Sequence, residues 1–192
     1  MDRQLSRQIA YSGIFIALIL GIGYALAFIP NVELITAMIF LAGVLMGFRR
    51  GMIIGIIGEF LFSALNPMGS GLLFPPLLLT QVLAMTLVSL SGATLRHFVI
   101  NFKPGLKDTL IIGGTGLGLT LIYDVFTSAA FPISAGFTFH ETVATIIAGL
   151  AFSTVHIISN VLVFVLLVPN AAQQTYKAIP FFSETYPVKY RS

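Results

Sequence analysis

The chain has 192 residues, of which 57% are hydrophobic and 9% charged, with a formal charge of +3. Soluble domains carry about 25% charged residues, so this composition excludes a soluble fold, and so small a net charge argues against nucleic-acid binding. Cysteine is absent, which removes disulfides, thiolate nucleophiles and thiolate metal sites.

A helical span needs about 20 mostly apolar residues, so the chain reads as an all-α integral membrane protein of six transmembrane helices joined by short loops. Residues 1–8 form a polar lead with Arg3 and Arg7. The first span covers residues 9–29 and ends at Pro30. Ala25-Leu26-Ala27 would formally serve as a signal-peptide cleavage site, but the apolar run exceeds the usual core of about 7–15 residues. It also carries Gly13, Ala17, Gly21 and Ala25 at a strict four-residue spacing, a stripe that a signal peptide does not need.

Residues 32–48 and 52–65 make the second and third spans, a hairpin turning at Arg49-Arg50-Gly51. At 1.5 Å per residue the third is only about 21 Å long, so the loop after it, residues 66–76, is expected to dip into the protein. Pro75-Pro76 suits the first turn of a helix, and the fourth span follows to residue 100. A polar turn at 101–107 precedes the fifth span, 109–131. A Gly/Pro/Ser loop at 132–139 leads into the sixth, 141–168, which Pro169 is expected to stop. The membrane domain is thus residues 9–168, and residues 169–192 form a polar tail.

On this map all ten Lys and Arg fall on one side: before span one, at the hairpin turn, at Arg96, Lys103 and Lys107, and in the tail at Lys177, Lys189 and Arg191. Cytoplasmic loops collect Lys and Arg, which puts both termini in the cytoplasm, as an even number of spans also requires. The outer half then holds acids and amides with no fixed positive charge. Its candidate ligand-binding residues are Asn31, Glu33, Asn66, Tyr123 and Asp124, with Glu59, Gln81, His156 and Asn160 deeper. An acid near the centre of a membrane helix costs roughly 2.5–3.5 kcal/mol on insertion scales and therefore faces a cavity or a partner. His156 and Asn160 share one helix face. Asn31, Glu33, Asn66, His140 and Glu141 also suit helix caps. Phe60, Phe62, Phe74 and Tyr123 are candidates for stacking on a ring, or for packing.

The stripe Gly13, Ala17, Gly21 and Ala25 would admit a second helix at close range, from within the chain or from a partner. A second series, Gly43, Gly47, Gly51 and Gly55, is interrupted by the Arg49-Arg50 turn and is discounted as a stripe. No phosphate-binding loop, H-E-x-x-H or G-x-S-x-G occurs, so neither ATP hydrolysis nor intramembrane hydrolysis is expected of this chain. No enzyme activity, cofactor or metal site is predicted.

Several stretches together resemble a known family. They are Pro30-Asn31-Val32-Glu33-Leu34, Glu59-Phe60-Leu61-Phe62-Ser63-Ala64-Leu65-Asn66-Pro67-Met68-Gly69, Tyr123-Asp124-Val125-Phe126-Thr127 and His156-Ile157-Ile158-Ser159-Asn160. With the short-looped spans and the Gly-rich hairpin turn, the chain over roughly residues 9–170 is similar to substrate-binding S components of energy-coupling factor (ECF) transporters, a class of ABC importers. The resemblance implies a vitamin-uptake subunit of a prokaryotic cytoplasmic membrane. Such a subunit binds its ligand in an outward pocket, docks on a transmembrane coupling subunit served by two ATPases, and topples to release the ligand inside. It further implies that Gly13-Ile14-Phe15-Ile16-Ala17 holds the place of the family's Ala-x-x-x-Ala docking motif, with Gly for the first Ala. Met1-Asp2 lacks the Met-His start of the metal-specific relatives, so nickel or cobalt uptake is not expected.

Glu33, Glu59 and Asp124 favour a neutral or cationic ligand: a thiamin- or pyrimidine-like, queuosine-precursor-like or corrinoid-related compound over biotin, folate or pantothenate. Two alternatives belong to other classes. A six-span scaffold of the cell-elongation type would have a sealed interior. A stand-alone proton-coupled transporter would use Glu59 or Asp124 as its relay.

Overall fold

A computed structural model describes residues 3–189; Met1-Asp2 and the tail's Arg191 lie outside the described residues. The helices are α1 (Arg3–Leu26), α2 (Ile35–Ala64), α3 (Pro75–Ile100), α4 (Leu106–Ser134), α5 (Phe139–Phe152), α6 (Thr154–Leu166), α7 (Val168–Ala178) and α8 (Pro180–Thr185), with a 3-10 turn at Gly71–Leu73. No strand occurs among the described residues. Five helical stretches are long and apolar enough to cross a membrane (α1, α2, α3, α4 and α6 continued through α7), and α5 is a shorter apolar helix. The chain is a multi-pass, all-helical membrane protein.

The stretch α2 is not one straight rod. At Gly47 the backbone takes φ 73° and ψ −176°, a conformation open to glycine and strained for L side chains, and the helix folds back on itself. Residues 35–46 and 48–64 become antiparallel arms in close contact. A Cβ built on Gly51 would lie 2.7 Å from Gly43 Cα, and one on Gly55 would lie 3.2 Å from Ile39 Cγ2. The glycine series discounted in the sequence therefore has a use after all. Gly47 makes the turn, and its neighbours in the series let the two arms and α3 meet backbone to backbone. Against α3, a Cβ on Gly43 would sit 2.0 Å from the Ser89 carbonyl oxygen, and one on Gly92 would sit 2.1 Å from that of Phe40. These glycines fix the register: residue 51 lies beside Ser89 Oγ and residue 55 beside the Met85 carbonyl. The arm of residues 48–64 and α3 run antiparallel.

Three boundaries differ from the sequence reading. Helix α4 continues through Pro132 to Ser134, so the loop before α5 is only residues 135–138. The expected sixth span is bent at Ser153 into α5 and α6. A capping box starts α5, with Thr138 N donating to Glu141 Oε2 at 2.8 Å and Glu141 N to Thr138 Oγ1, which places Glu141 as a cap. His140 is exposed, its ring edge-on to Phe139. Pro169 does not stop the chain, because it falls in the first turn of α7, where its missing N–H removes no helical bond.

The tail also does more than its polarity suggested. Ala172, Tyr176, Phe181 and Phe182 are buried, and Tyr11 of α1 stacks on Phe181 with ring centroids 4.5 Å apart. Arg96 donates to the Tyr186 carbonyl and lies over the Tyr186 ring. Asn101 Nδ2 donates to the Lys189 carbonyl at 3.0 Å, and Arg50 Nη2 to Gln8 Oε1 at 3.1 Å. The start of α1, the Gly47 turn, the end of α3 and the tail thus meet at one end of the bundle, the end that carries the basic residues.

Candidate ligand cavity

The opposite end encloses a cavity of about 480 Å³, within the usual 300–1,000 Å³ of small-molecule sites. Its wall draws on the end of α1, the loop before α2, the second arm of α2, the start of α3, the C-terminal half of α4 and the α5–α6 bend. Of the nine sequence candidates, Asn31, Glu33, Glu59, Asn66, Gln81, Tyr123, Asp124 and His156 line it. Asn160 does not line it, but Asn160 Nδ2 donates to Glu33 Oε1 at 2.8 Å. No Lys or Arg is among the lining residues.

His156 is the hub. Its Nδ1 is 2.9 Å from Asp124 Oδ1 and its Nε2 is 3.4 Å from Glu33 Oε1. His156 and Asn160, one turn apart on α6, therefore act together on Glu33. The other Glu33 oxygen accepts from Thr36 N at 2.8 Å, which satisfies a free amide at the start of α2. One carboxylate thus caps a helix and receives two side chains from α6. The imidazole stands between two acids, Asp124 buried and Glu33 partly exposed. Tyr123 meets the His156 ring edge-on, centroids 5.9 Å apart, and its hydroxyl accepts from Gln81 Nε2 at 3.2 Å.

Glu59 is apart from this cluster. It is 1% exposed, and Ser63 Oγ donates to its Oε1 at 2.8 Å. Among the described residues, Glu59 Oε2, Gln81 Oε1 and Asp124 Oδ2 are buried acceptors without a hydrogen-bond partner. Unpaired buried acceptors are costly, so three on one cavity wall mark a place built for donors.

Asn31 works as a latch. At φ 60° it occupies the left-handed region, which Asn tolerates better than other L residues. Its Nδ2 donates to the Phe152 carbonyl at 3.0 Å, and its own carbonyl accepts from Ser159 Oγ at 3.1 Å. The loop before α2 is thereby tied to both sides of the α5–α6 bend. Asn66 Oδ1 accepts from Met68 N at 2.9 Å, shaping its own loop.

Of the aromatic candidates, Phe62 and Tyr123 line the cavity. Phe60 is 43% exposed on the outside of the helix, and Phe74 packs instead on Phe131, centroids 6.2 Å apart. Several contributors were not among the candidates. Thr36 and Ser63 follow Glu33 and Glu59 at cap and one-turn spacing, a signal present in the sequence. Phe152 and Ser153 reach the cavity only because of a bend that composition does not announce. No group of three or more acids and histidines suited to a metal occurs among the described residues. Comparison with known protein families, curated proteins and solved structures finds no match to this chain.

Proposed function

We propose that the protein is the substrate-binding S component of an ECF-type importer, taking a neutral or cationic vitamin or vitamin precursor from outside the cell. The observation that carries this reading is the cavity of about 480 Å³ at the end of the bundle away from the basic residues, lined by acids and amides without Lys or Arg. If the hairpin arms count as two spans and the bent α5–α6 segment as one, the bundle has six spans with both termini in the cytoplasm, because Lys and Arg gather on the cytoplasmic side. The cavity then opens outward. A sealed scaffold has no use for such a space.

A partner surface supports the same reading. Gly13, Ala17, Gly21 and Ala25 all lie on the exposed face of α1, and a Cβ added at Gly13 or Gly21 would have no heavy atom within 4 Å. In the proposed assembly this face meets the coupling subunit, and hydrolysis belongs to two partner ATPases. Gly13→Leu and Gly21→Leu are expected to leave the unfolding temperature of the isolated protein unchanged while eliminating copurification of the coupling subunit. A large drop in unfolding temperature would instead place this face in the protein's own packing.

The direct test is a thermal-shift screen of the purified protein against B vitamins and their precursors. A ligand at one hundred times its dissociation constant adds about 2.7 kcal/mol of stability. One stabilising compound, with its effect reduced by Asp124→Asn, is the expected result. Vesicle uptake by this chain alone, abolished by Glu59→Gln, would favour the proton-coupled transporter instead.

A further inference from the structure

Register places Glu59 and Gln81 across from each other. Residue 51 abuts Ser89 and residue 55 abuts Met85 in the antiparallel contact between the second arm of α2 and α3, so one more turn brings residue 59 beside residue 81. Both line the cavity. Each offers one oxygen, Glu59 Oε2 and Gln81 Oε1, that is buried and accepts no hydrogen bond among the described residues. Ser63 donates to Glu59 Oε1, and Gln81 donates one of its two Nε2 hydrogens to Tyr123, which orients both side chains. His156 is committed as well, to Asp124 and Glu33.

We infer that Glu59 and Gln81 form an acceptor–acceptor clamp for a flat organic cation with two adjacent N–H donors on one edge, the pattern of an amidinium or a protonated amino-heterocycle. This deepens the transport reading and rests on it for the cavity's role. The chemistry follows from what the pair lacks. Two acceptors on neighbouring helices match a donor–donor edge and repel a carboxylate. A neutral amide, which presents one donor and one acceptor, satisfies one oxygen and sets its own carbonyl against the other. A cation also offsets the excess of carboxylates over histidine in a cavity with no Lys or Arg. Phe62 and Met85 supply apolar wall for the flat body of the ligand.

An isosteric series tests the clamp first on the wild-type protein and then on Glu59→Gln: benzamidine, benzamide and benzoate, titrated at pH 7 with ligand-observed NMR in detergent micelles. Benzamidine is expected to bind about tenfold tighter than benzamide or more, with benzoate weakest of the three, and Glu59→Gln is expected to reduce the amidine preference to about threefold or less. Equal binding of amidine and amide, or tighter binding of benzoate, would overturn the inference. So would an amidine preference that survives Glu59→Gln intact in a folded variant. The two readings fail separately. If a vitamin stabilises the protein while the series shows no order, the clamp is wrong and the transport reading stands. If the series is ordered as expected while no vitamin binds and no coupling subunit copurifies, the clamp stands and the transport reading falls.

Discussion

Replacing Gly43 with alanine is expected to cost about 3 kcal/mol or more, because overpacking at a backbone contact cannot be relieved by a rotamer change. The added methyl would lie 2.0 Å from the Ser89 carbonyl oxygen and 2.9 Å from the Ala93 nitrogen, and both are main-chain atoms of α3. The helices must separate, and the separation propagates, because Phe40, Val44 and Met85 are packed in the same interface with at most 3% exposure each. A matched control is Gly114→Ala, at a site on α4 where a Cβ meets nothing within 4 Å. There the change is expected to be neutral or slightly stabilising, since alanine is the better helix former by about 1 kcal/mol. Thermal unfolding of the two variants in the same detergent decides the point. Similar unfolding temperatures would mean that α2 and α3 are not in backbone contact.

Removing the hub of the polar cluster is the other large effect. His156→Ala takes away the shared partner of Asp124 and Glu33, leaving two acids facing a space with only Asn160 and Thr36 still bonded to Glu33. Truncating one member of a buried charged cluster costs about 3–5 kcal/mol. The variant is expected to lose stability on that scale and to lose ligand binding with it. Asp124→Asn differs, because its amide oxygen can still accept from the imidazole. It is expected to retain most of the stability while binding the ligand more weakly. If His156→Ala unfolds at the wild-type temperature, the cluster does not hold α6 against the loop before α2, and the cavity wall must be ordered by other contacts.

The two kinds of information in the sequence were unequally legible. Apolar runs and basic turns located the membrane helices because burial in lipid imposes a length and a composition that survive any detail of packing. Glu33, Glu59, Asp124 and His156 stood out for the same reason: an ionisable group at membrane depth is expensive and therefore informative. The glycine series is interrupted by a turn, as the sequence indicates, but the contacts of Gly43, Gly51 and Gly55 across that turn and against α3 are not legible there, because they join elements that only the fold brings together. The tail's polarity hides its packing, which is done by Phe181, Phe182 and Tyr186, whose partners Tyr11, Phe15 and Arg96 are distant in sequence. Pro169 was read as a stop because the residue alone cannot say whether it ends one helix or begins the next.

The turn at Gly47 has a bearing on how the chain enters the bilayer. Its arms are contiguous, and their closest contacts join residues only eight apart, Gly43 and Gly51. Contacts this local form early and quickly. The two arms are therefore expected to pair before α3 joins them, with their mutual backbone surface already covered. The pair offers a ready groove to α3 when residues 75–100 follow. An amino-acid change that widens the turn would accordingly appear first as poor insertion and low yield, before any defect in the finished protein could be measured.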